Sequence, residues 1–255
     1  MRFSPHPASY PWSRRPGWFY ALTRLPWRVA FWFTMRVRCF GLERAENEEG
    51  ALLAVSHLSH LDPVIISVLL ERKVSWVSRK EFFQNCLMRP ILQHGGAFQV
   101  DRKGQALPTI REGLKRLACG EMVGIFPEGE VVGGADSVFY GGRIKRGVCV
   151  LSAYSGKPIV PVVVLGSHRL AEVGPWLPAK RGKLWVYFGE PIPAKTSAKG
   201  RGGRAAFGRE LEGVFRDLYK EACAHFQLPP DIAPGSAEAD HVFDELAPEE
   251  EQPAA

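Results

Sequence analysis

The sequence predicts an α/β fold, in which one domain holds a mixed, largely parallel sheet flanked by helices. Three observations carry that expectation. At 255 residues the chain is long enough for one large domain with a substantial core. Hydrophobic residues make up 45% of it, and Gly and Pro are scattered along its length, as in ordinary globular α/β proteins. Short apolar runs that read as buried strands alternate with stretches whose apolar residues recur at helical spacing. No internal repeat stands out.

The first segment, residues 1–44, is basic and aromatic. Between positions 17 and 40 it interleaves Trp18, Phe19, Tyr20, Trp27, Phe31, Trp32, Phe33 and Phe40 with Arg24, Arg28, Arg36 and Arg38. A secretory signal would confine charge to its start, and here arginine runs throughout. The longest central uncharged run, residues 29–35, would rise only about 10 Å as a helix, far short of a bilayer core. Each central arginine would add about 2.5–3.5 kcal/mol to the cost of insertion. Read as a helix from Pro26 onward, the segment gathers Val29, Ala30, Phe33, Val37 and Phe40 on one face. Phe31, Trp32 and Met35 project among the arginines, which suits a helix lying in the headgroup zone with its arginines snorkelling to phosphates. The plainer reading is a helix packed on the domain with arginines at its rim.

Residues 51–55 read as a buried strand, and Asp62-Pro63 reads as a helix start with Asp as N-cap, ahead of Val64, Ile65, Ile66, Val68, Leu69 and Leu70. Between them lies Ser56-His57-Leu58-Ser59-His60-Leu61. On a helix His57 and Asp62 would point about 140° apart, and on a strand they would fall on opposite faces, so they can meet only across a bend. A carboxylate meeting one imidazole nitrogen fixes the tautomer and leaves the other nitrogen to take a proton, as a general base does. The alternatives are an Asp62 that only caps its helix and a His57 satisfied in a loop. A metal site of His57, His60 and Asp62 ranks lower, because the spacing matches no structural zinc pattern, so no metal is expected.

Further along, residues 73–78 read as a strand, and Lys80 opens a helix carrying Leu87, Ile91 and Leu92. Gly95-Gly96 then gives a turn, a short strand and a charged end at Asp101-Arg102. Ile110, Leu114 and Leu117 mark an amphipathic helix, and residues 122–126 form a buried strand running into Pro127-Glu128-Gly129. Residues 141–147, Gly-Gly-Arg-Ile-Lys-Arg-Gly, read as a flexible basic loop entering a helix over 148–154, where helix-mouth backbone donors beside Lys145 and Arg146 would suit an anion. Residues 158–164 and 184–188 read as strands, 195–204 as a polar basic linker, and Phe207, Leu211, Val214, Phe215, Leu218 and Ala222 as the core stripe of a last helix.

Four of these stretches resemble, in order, the signature blocks of the glycerolipid acyltransferase family, whose best-known members acylate lysophosphatidic acid. They are Ser56 to Pro63, Gly95 to Arg102, Phe126 to Gly129 and Pro158 to Val164. The resemblance implies an N-terminal membrane-docking helical element and acyl transfer from a thioester to a hydroxyl of a lysophospholipid or glycerol phosphate. His57 and Asp62 would be catalytic, and Arg102, Glu128, Gly129 and Lys145 would bind the acceptor. It implies no cofactor, with acyl-CoA or acyl carrier protein as donor substrate, and a place at the cytoplasmic face of a membrane. Where the family has Thr and a basic or small polar residue after the third block, this chain has Glu130-Val131-Val132, which bears on the choice of acceptor. A non-catalytic lipid-binding homologue is the competing reading, and the His57 and Asp62 pair speaks against it.

Charge agrees with an anionic partner. The net charge is +6, but residues 229–255 hold eight acidic residues and no Lys or Arg, leaving 33 basic against 19 acidic residues in 1–228, a net of +14. The tail, rich in Pro, Ala and Glu, reads as disordered, and residues 45–228 as the folded acyltransferase domain. Nucleic acid is not expected, since no binding module is evident and the aromatics cluster with apolar residues. Cys39, Cys86, Cys119, Cys149 and Cys223 form no close pair, which points to a reducing compartment.

Overall fold

The computed structural model describes residues 18–84, 89, 92, 96–100, 107–133, 136–173 and 182–229. Helix α1 (Trp18–Thr34) leads into strand β1 (Met35–Phe40), and the short α2 (Glu43–Glu46) precedes β2 (Leu52–Val55). Then follow α3 (Asp62–Leu69), β3 (Val74–Arg79), β4 (Phe98–Val100), α4 (Leu107–Ala118) and β5 (Met122–Ile125). The chain continues through α5 (Arg146–Ser155), β6 (Ile159–Leu165), β7 (Gly182–Phe188) and α6 (Arg201–Phe226). The strands make one seven-stranded sheet in the order β1-β7-β6-β2-β5-β3-β4. Every neighbouring pair is parallel except β6 with β7, so the mixed, largely parallel sheet is present.

Alternation along the central strands fills both faces. Leu52, Ala54, Ile159, Val163 and Leu165 point to the face covered by α4, α5 and α6, where Leu117, Leu151, Phe207, Leu211 and Phe215 pack. Leu53, Val55, Val160, Val162 and Val164 point to the other, where α1 and α3 supply Phe31, Ile65 and Ile66. A strand buried on both faces must read as an unbroken apolar run, and that is why β2 and β6 were legible as strands.

Three expectations need correction. The helix read through Phe40 stops at Thr34, and residues 35–40 form an edge strand paired with β7, Met35 opposite Gly182 through Phe40 opposite Tyr187. The hexapeptide Met-Arg-Val-Arg-Cys-Phe fits a period of two as well as 3.6, and the unpaired edge of β7 decides between them. The linker read over 195–204 holds a 3-10 turn, Thr196–Lys199, and α6 already begins at Arg201. The basic loop is not loose: Gly142 N–H donates to Ser137 O, Ile144 N–H to Glu212 Oε1 and Lys145 N–H to Pro127 O, and α5 starts at Arg146. Of the helix read from Lys80, residues 80–84 are a 3-10 turn, while Leu87 and Ile91 lie outside the described residues. The acidic tail beyond Pro229 also lies outside them.

α1 is fastened to the domain by an arginine expected at the headgroups. Arg24 donates to Val68 O at 3.0 Å and Leu70 O at 2.5 Å, satisfying carbonyls that the end of α3 leaves without helical partners. Phe31 and Met35 are buried beneath α1, whereas Leu22, Leu25, Val29, Trp32 and Phe33 are exposed. Trp32 is 77% and Phe33 69% exposed, a second apolar face with nothing packed on it among the described residues. No described helix is long and apolar enough to cross a membrane.

Candidate active site

β2 and β5 are parallel neighbours, with Leu52 opposite Val123 and Ala54 opposite Ile125, so their carboxyl ends emerge side by side. That register brings the loop after β2, with His57, against the loop after β5, with Phe126-Pro127-Glu128-Gly129. The crevice beyond the carboxyl ends of parallel strands is where open α/β sheets place their sites.

The first loop folds around Asp62. Its Oδ2 accepts from Leu58 N–H at 2.8 Å, from Ser59 N–H at 2.8 Å and from His57 Nδ1 at 3.1 Å, and the side chain is fully buried. Asp62 does not cap its helix as the sequence suggested. It is the first helical residue, with Leu61 in the capping position, and its carboxylate turns back to wrap the bend. Two main-chain donors and a helix N-terminus stabilise the negative charge there. With Nδ1 donating to Asp62, Nε2 is the nitrogen available for a proton. The His57 side chain is 12% exposed, so the ring reaches solvent only at its edge.

Glu128 lies behind His57. One oxygen, Oε2, accepts the His57 main-chain N–H at 2.7 Å, and the other, Oε1, accepts Val138 N–H at 3.1 Å and faces Ser137 Oγ at 3.4 Å. The residue is 4% exposed, and burial pushes its carboxyl up to about 7; the two backbone donors pull against that shift and the nearby Asp62 charge adds to it. His57 is held from the other side by Val132 N–H, which donates to its carbonyl at 3.1 Å.

Gly129 has φ +78°, and a Cβ there would come within 3.1 Å of Lys145 Cγ, so the lysine stem lies against bare backbone. Lys145 is exposed, and its N–H bond to Pro127 O, at 2.7 Å, joins the third block to the mouth of α5. The structure therefore brings together His57, Asp62, Glu128, Gly129 and Lys145. Arg102, expected among them, lies outside the described residues. His60 is exposed and stands edge-on to His57, ring centres 6.3 Å apart. Among the described residues no group of three or more His, Cys, Asp or Glu could hold a metal. Burial pushes the Cys39 and Cys149 thiols up to about 11, with Glu43 adding to the shift at Cys39, so neither is a ready thiolate at neutral pH.

Sequence reasoning passed over the aromatic support of the imidazole. Phe126, read as the end of a strand and the first residue of the third block but given no role at the site, stacks on the His57 ring with centres 3.7 Å apart and planes 16° apart. Trp76 stacks on the far side of Phe126 at 5.2 Å and 14°. A signal was available in Gly124, whose lack of a side chain makes room for an indole: a Cβ there would lie 2.4 Å from the Trp76 ring.

Known proteins share both the sequence pattern and the fold. The 1-acyl-sn-glycerol-3-phosphate acyltransferase of Bacillus subtilis (strain 168) is 29% identical over 157 residues, covering 61% of this chain and 73% of that one. The crystal structure of the 1-acyl-sn-glycerophosphate (LPA) acyltransferase PlsC from Thermotoga maritima has the same fold, with a TM-score of 0.61 at 16% identity, over 79% of this chain and 78% of that one. A model of the Acyltransferase family matches residues 36–165, just over half of the chain and all four sequence blocks. On that match, and with its paired imidazole and carboxylate at the carboxyl ends of a parallel sheet, the chain belongs to the Acyltransferase family.

Proposed function

We propose that this protein moves a fatty acyl group from an acyl thioester to the free hydroxyl of 1-acylglycerol 3-phosphate, as a step of phospholipid synthesis, with His57 as general base. The observation that carries the reading is the 3.1 Å contact of His57 Nδ1 with buried Asp62, which leaves Nε2 to take a proton. Nε2 takes the proton of the acceptor hydroxyl while that oxygen attacks the thioester carbonyl. The tetrahedral intermediate collapses with cleavage of the C–S bond, and the departing thiolate takes the proton back from the imidazolium. Asp62 orients the ring and offsets its transient charge. Lys145, Gly129 and Arg102 hold the acceptor phosphate, with Glu128 steadying the site from behind through the His57 main chain. Neither a metal nor a cofactor enters the reaction, and the donor is acyl-CoA or acyl carrier protein.

The exposed face of α1, flanked by exposed Arg28 and Arg36, supports docking on an anionic phospholipid surface, which at the cytoplasmic face is where the lysophospholipid acceptor would be met. A second acceptor reading, a lysolipid bearing an amine, is favoured by Glu130, an exposed carboxylate one residue past Gly129. Purified protein mixed with acyl-CoA and lysophosphatidic acid should release free thiol and form the diacyl product. His57→Ala should lower that rate by about 10²–10⁴-fold while the protein stays folded. Turnover surviving in that variant would remove His57 from the role. Product appearing only with amine-bearing acceptors would replace lysophosphatidic acid as the substrate.

A further inference from the structure

We propose that Phe126 is a positioning residue for the imidazole of His57, acting as the middle layer of a column built from His57, Phe126 and Trp76. The inference rests on the reading of His57 as the base. Asp62 grips the ring only at Nδ1, and a single hydrogen bond leaves the imidazole plane free to swing about the line between donor and acceptor. A flat partner removes that freedom. Phe126 lies face to face with the imidazole, with ring centres at 3.7 Å and planes 16° apart, so a swing of the ring would drive it into the phenyl face. Phe126 is itself backed by Trp76 at 5.2 Å and 14°.

The column is anchored to the element that carries Asp62. Trp76 Nε1 donates to Ser67 Oγ at 2.9 Å, and Ser67 Oγ donates to Pro63 O at 2.6 Å, in the first turn of α3 next to Asp62. A closed circuit results, running from His57 through Phe126, Trp76, Ser67 and α3 to Asp62 and back to His57. Three elements contribute to it. β3 supplies Trp76, the end of β5 supplies Phe126, and α3 supplies Ser67 and Asp62. The register of the sheet makes the circuit possible, because Trp76 is the direct cross-strand neighbour of Gly124, and only a residue without Cβ lets the indole lie flat at that point. The circuit fixes the ring at one edge and across one face, and so sets the direction of Nε2 towards the acceptor hydroxyl. Catalysis by positioned groups is sensitive to such small displacements, a misplacement of about 1 Å costing about 10²-fold.

The test compares Phe126→Leu, which keeps bulk and loses the flat face, with Phe126→Tyr, which keeps the face. Thiol release gives kcat and KM for donor and acceptor, and proton NMR follows the imidazole C–H signals of His57, identified by their disappearance in His57→Ala. In the unaltered protein those signals should lie upfield through the ring current of Phe126. Phe126→Leu should lose the upfield shift and lower kcat by about 10–100-fold with both KM values held within about threefold. Phe126→Tyr should restore the shift and bring kcat back to within about threefold of the unaltered protein. If circular dichroism shows the leucine variant misfolded, Phe126→Met carries the same comparison. A folded leucine or methionine variant with unaltered kcat, a tyrosine variant as impaired as leucine, or a His57 signal with no ring-current shift overturns the inference. His57→Ala separates the two levels of reading: turnover in that variant removes the base itself, whereas its loss alongside a fully active Phe126→Leu removes the positioning role alone.

Discussion

The main-chain N–H of His57 donates to Glu128 Oε2 at 2.7 Å, so the third sequence block holds the first by its backbone, 71 residues away in the chain. Leu52 and Val123 being opposite each other on parallel strands brings the two loops side by side, so the contact can form. The same carboxylate accepts Val138 N–H through its other oxygen and thereby fixes the start of the segment that leads to Lys145. A buried carboxylate with main-chain donors on both oxygens has no isostere among the neutral side chains. An amide would turn its own NH₂ towards one of those donors.

Glu128→Gln should therefore lower kcat by roughly tenfold by releasing the His57 backbone, and it should change how stability follows pH. Burial raises the Glu128 pKa from its ordinary 4.5 to about 7, so between those values the folded protein keeps a proton that the unfolded chain has given up. The stabilisation that this proton reports is fully present below pH 4.5 and is lost as pH rises through about 7. Urea unfolding of both proteins should show the advantage of the unaltered chain over the glutamine variant shrinking as pH is raised across that window, by an amount on the order of 3 kcal/mol. Burial raises Glu121 as well, so the slope of the unaltered protein itself should not vanish in the variant. An advantage that grows with pH would contradict the burial account.

Asp62→Asn separates charge from geometry. The amide oxygen can still receive Leu58 N–H, Ser59 N–H and His57 Nδ1, the three bonds now made to Oδ2, so the loop should keep its shape. The NH₂ group would occupy the place of Oδ1, which has no protein partner among the described residues, and a modest fall in melting temperature is expected. Without the negative charge the imidazolium formed during transfer loses its support, and kcat should drop by about 10²–10⁴-fold with KM little changed. A rate near that of the unaltered protein would mean that Asp62 serves the loop and not the chemistry.

Much of this site was legible in the chain, and the parts that were not share a cause. The bend joining His57 to Asp62 followed from a buried strand, a Pro at a helix start and a five-residue separation, all local features. Lys145 could be placed at a helix mouth for the same reason. The direction of the Asp62 carboxylate, towards its own loop and not its helix, depends on where Leu58 and Ser59 put their N–H groups, which no spacing rule encodes. The stack of Phe126 on His57 and the grip of Glu128 on the His57 backbone both need β2 and β5 to be neighbours in a known register. Residues 35–40 show the same dependence on the partner, since only the free edge of β7 turns a pattern compatible with a helix into a strand.

Gly129 and Lys145 should respond differently to truncation. Lys145→Ala removes an exposed ammonium from the proposed phosphate site, so KM for the acceptor should rise about tenfold, kcat should change little, and the salt sensitivity of binding should weaken. Gly129→Ala puts a Cβ 3.1 Å from Lys145 Cγ at a φ of +78°, where an L side chain is strained by roughly 1–2 kcal/mol. It should lower stability and raise the same KM by displacing the lysine stem. Steady-state kinetics with lysophosphatidic acid decide the matter. An unchanged acceptor KM in both variants would move the phosphate away from the mouth of α5.

The outward face of α1 leads to a prediction about location. Leu22, Leu25, Val29, Trp32 and Phe33 recur at helical spacing and are all exposed, while Arg24 on the inner side is committed to the carbonyls of Val68 and Leu70. The exposed apolar face and the tether to α3 thus lie on different sides of one helix, so the proposed docking and the tether can be cut separately. Replacing both Trp32 and Phe33 by Ser removes two aromatic anchors, each worth about 1.5–3 kcal/mol if fully buried and less when only the headgroup zone is reached. Co-sedimentation with vesicles containing phosphatidylglycerol should fall by about 10–100-fold, with thermal stability unchanged because neither ring packs on the core. Arg24→Ala should do the reverse in stability terms, lowering the melting temperature by leaving the last carbonyls of α3 without their donors. Vesicle binding that survives the loss of both aromatics would place the lipid contact elsewhere on the basic surface.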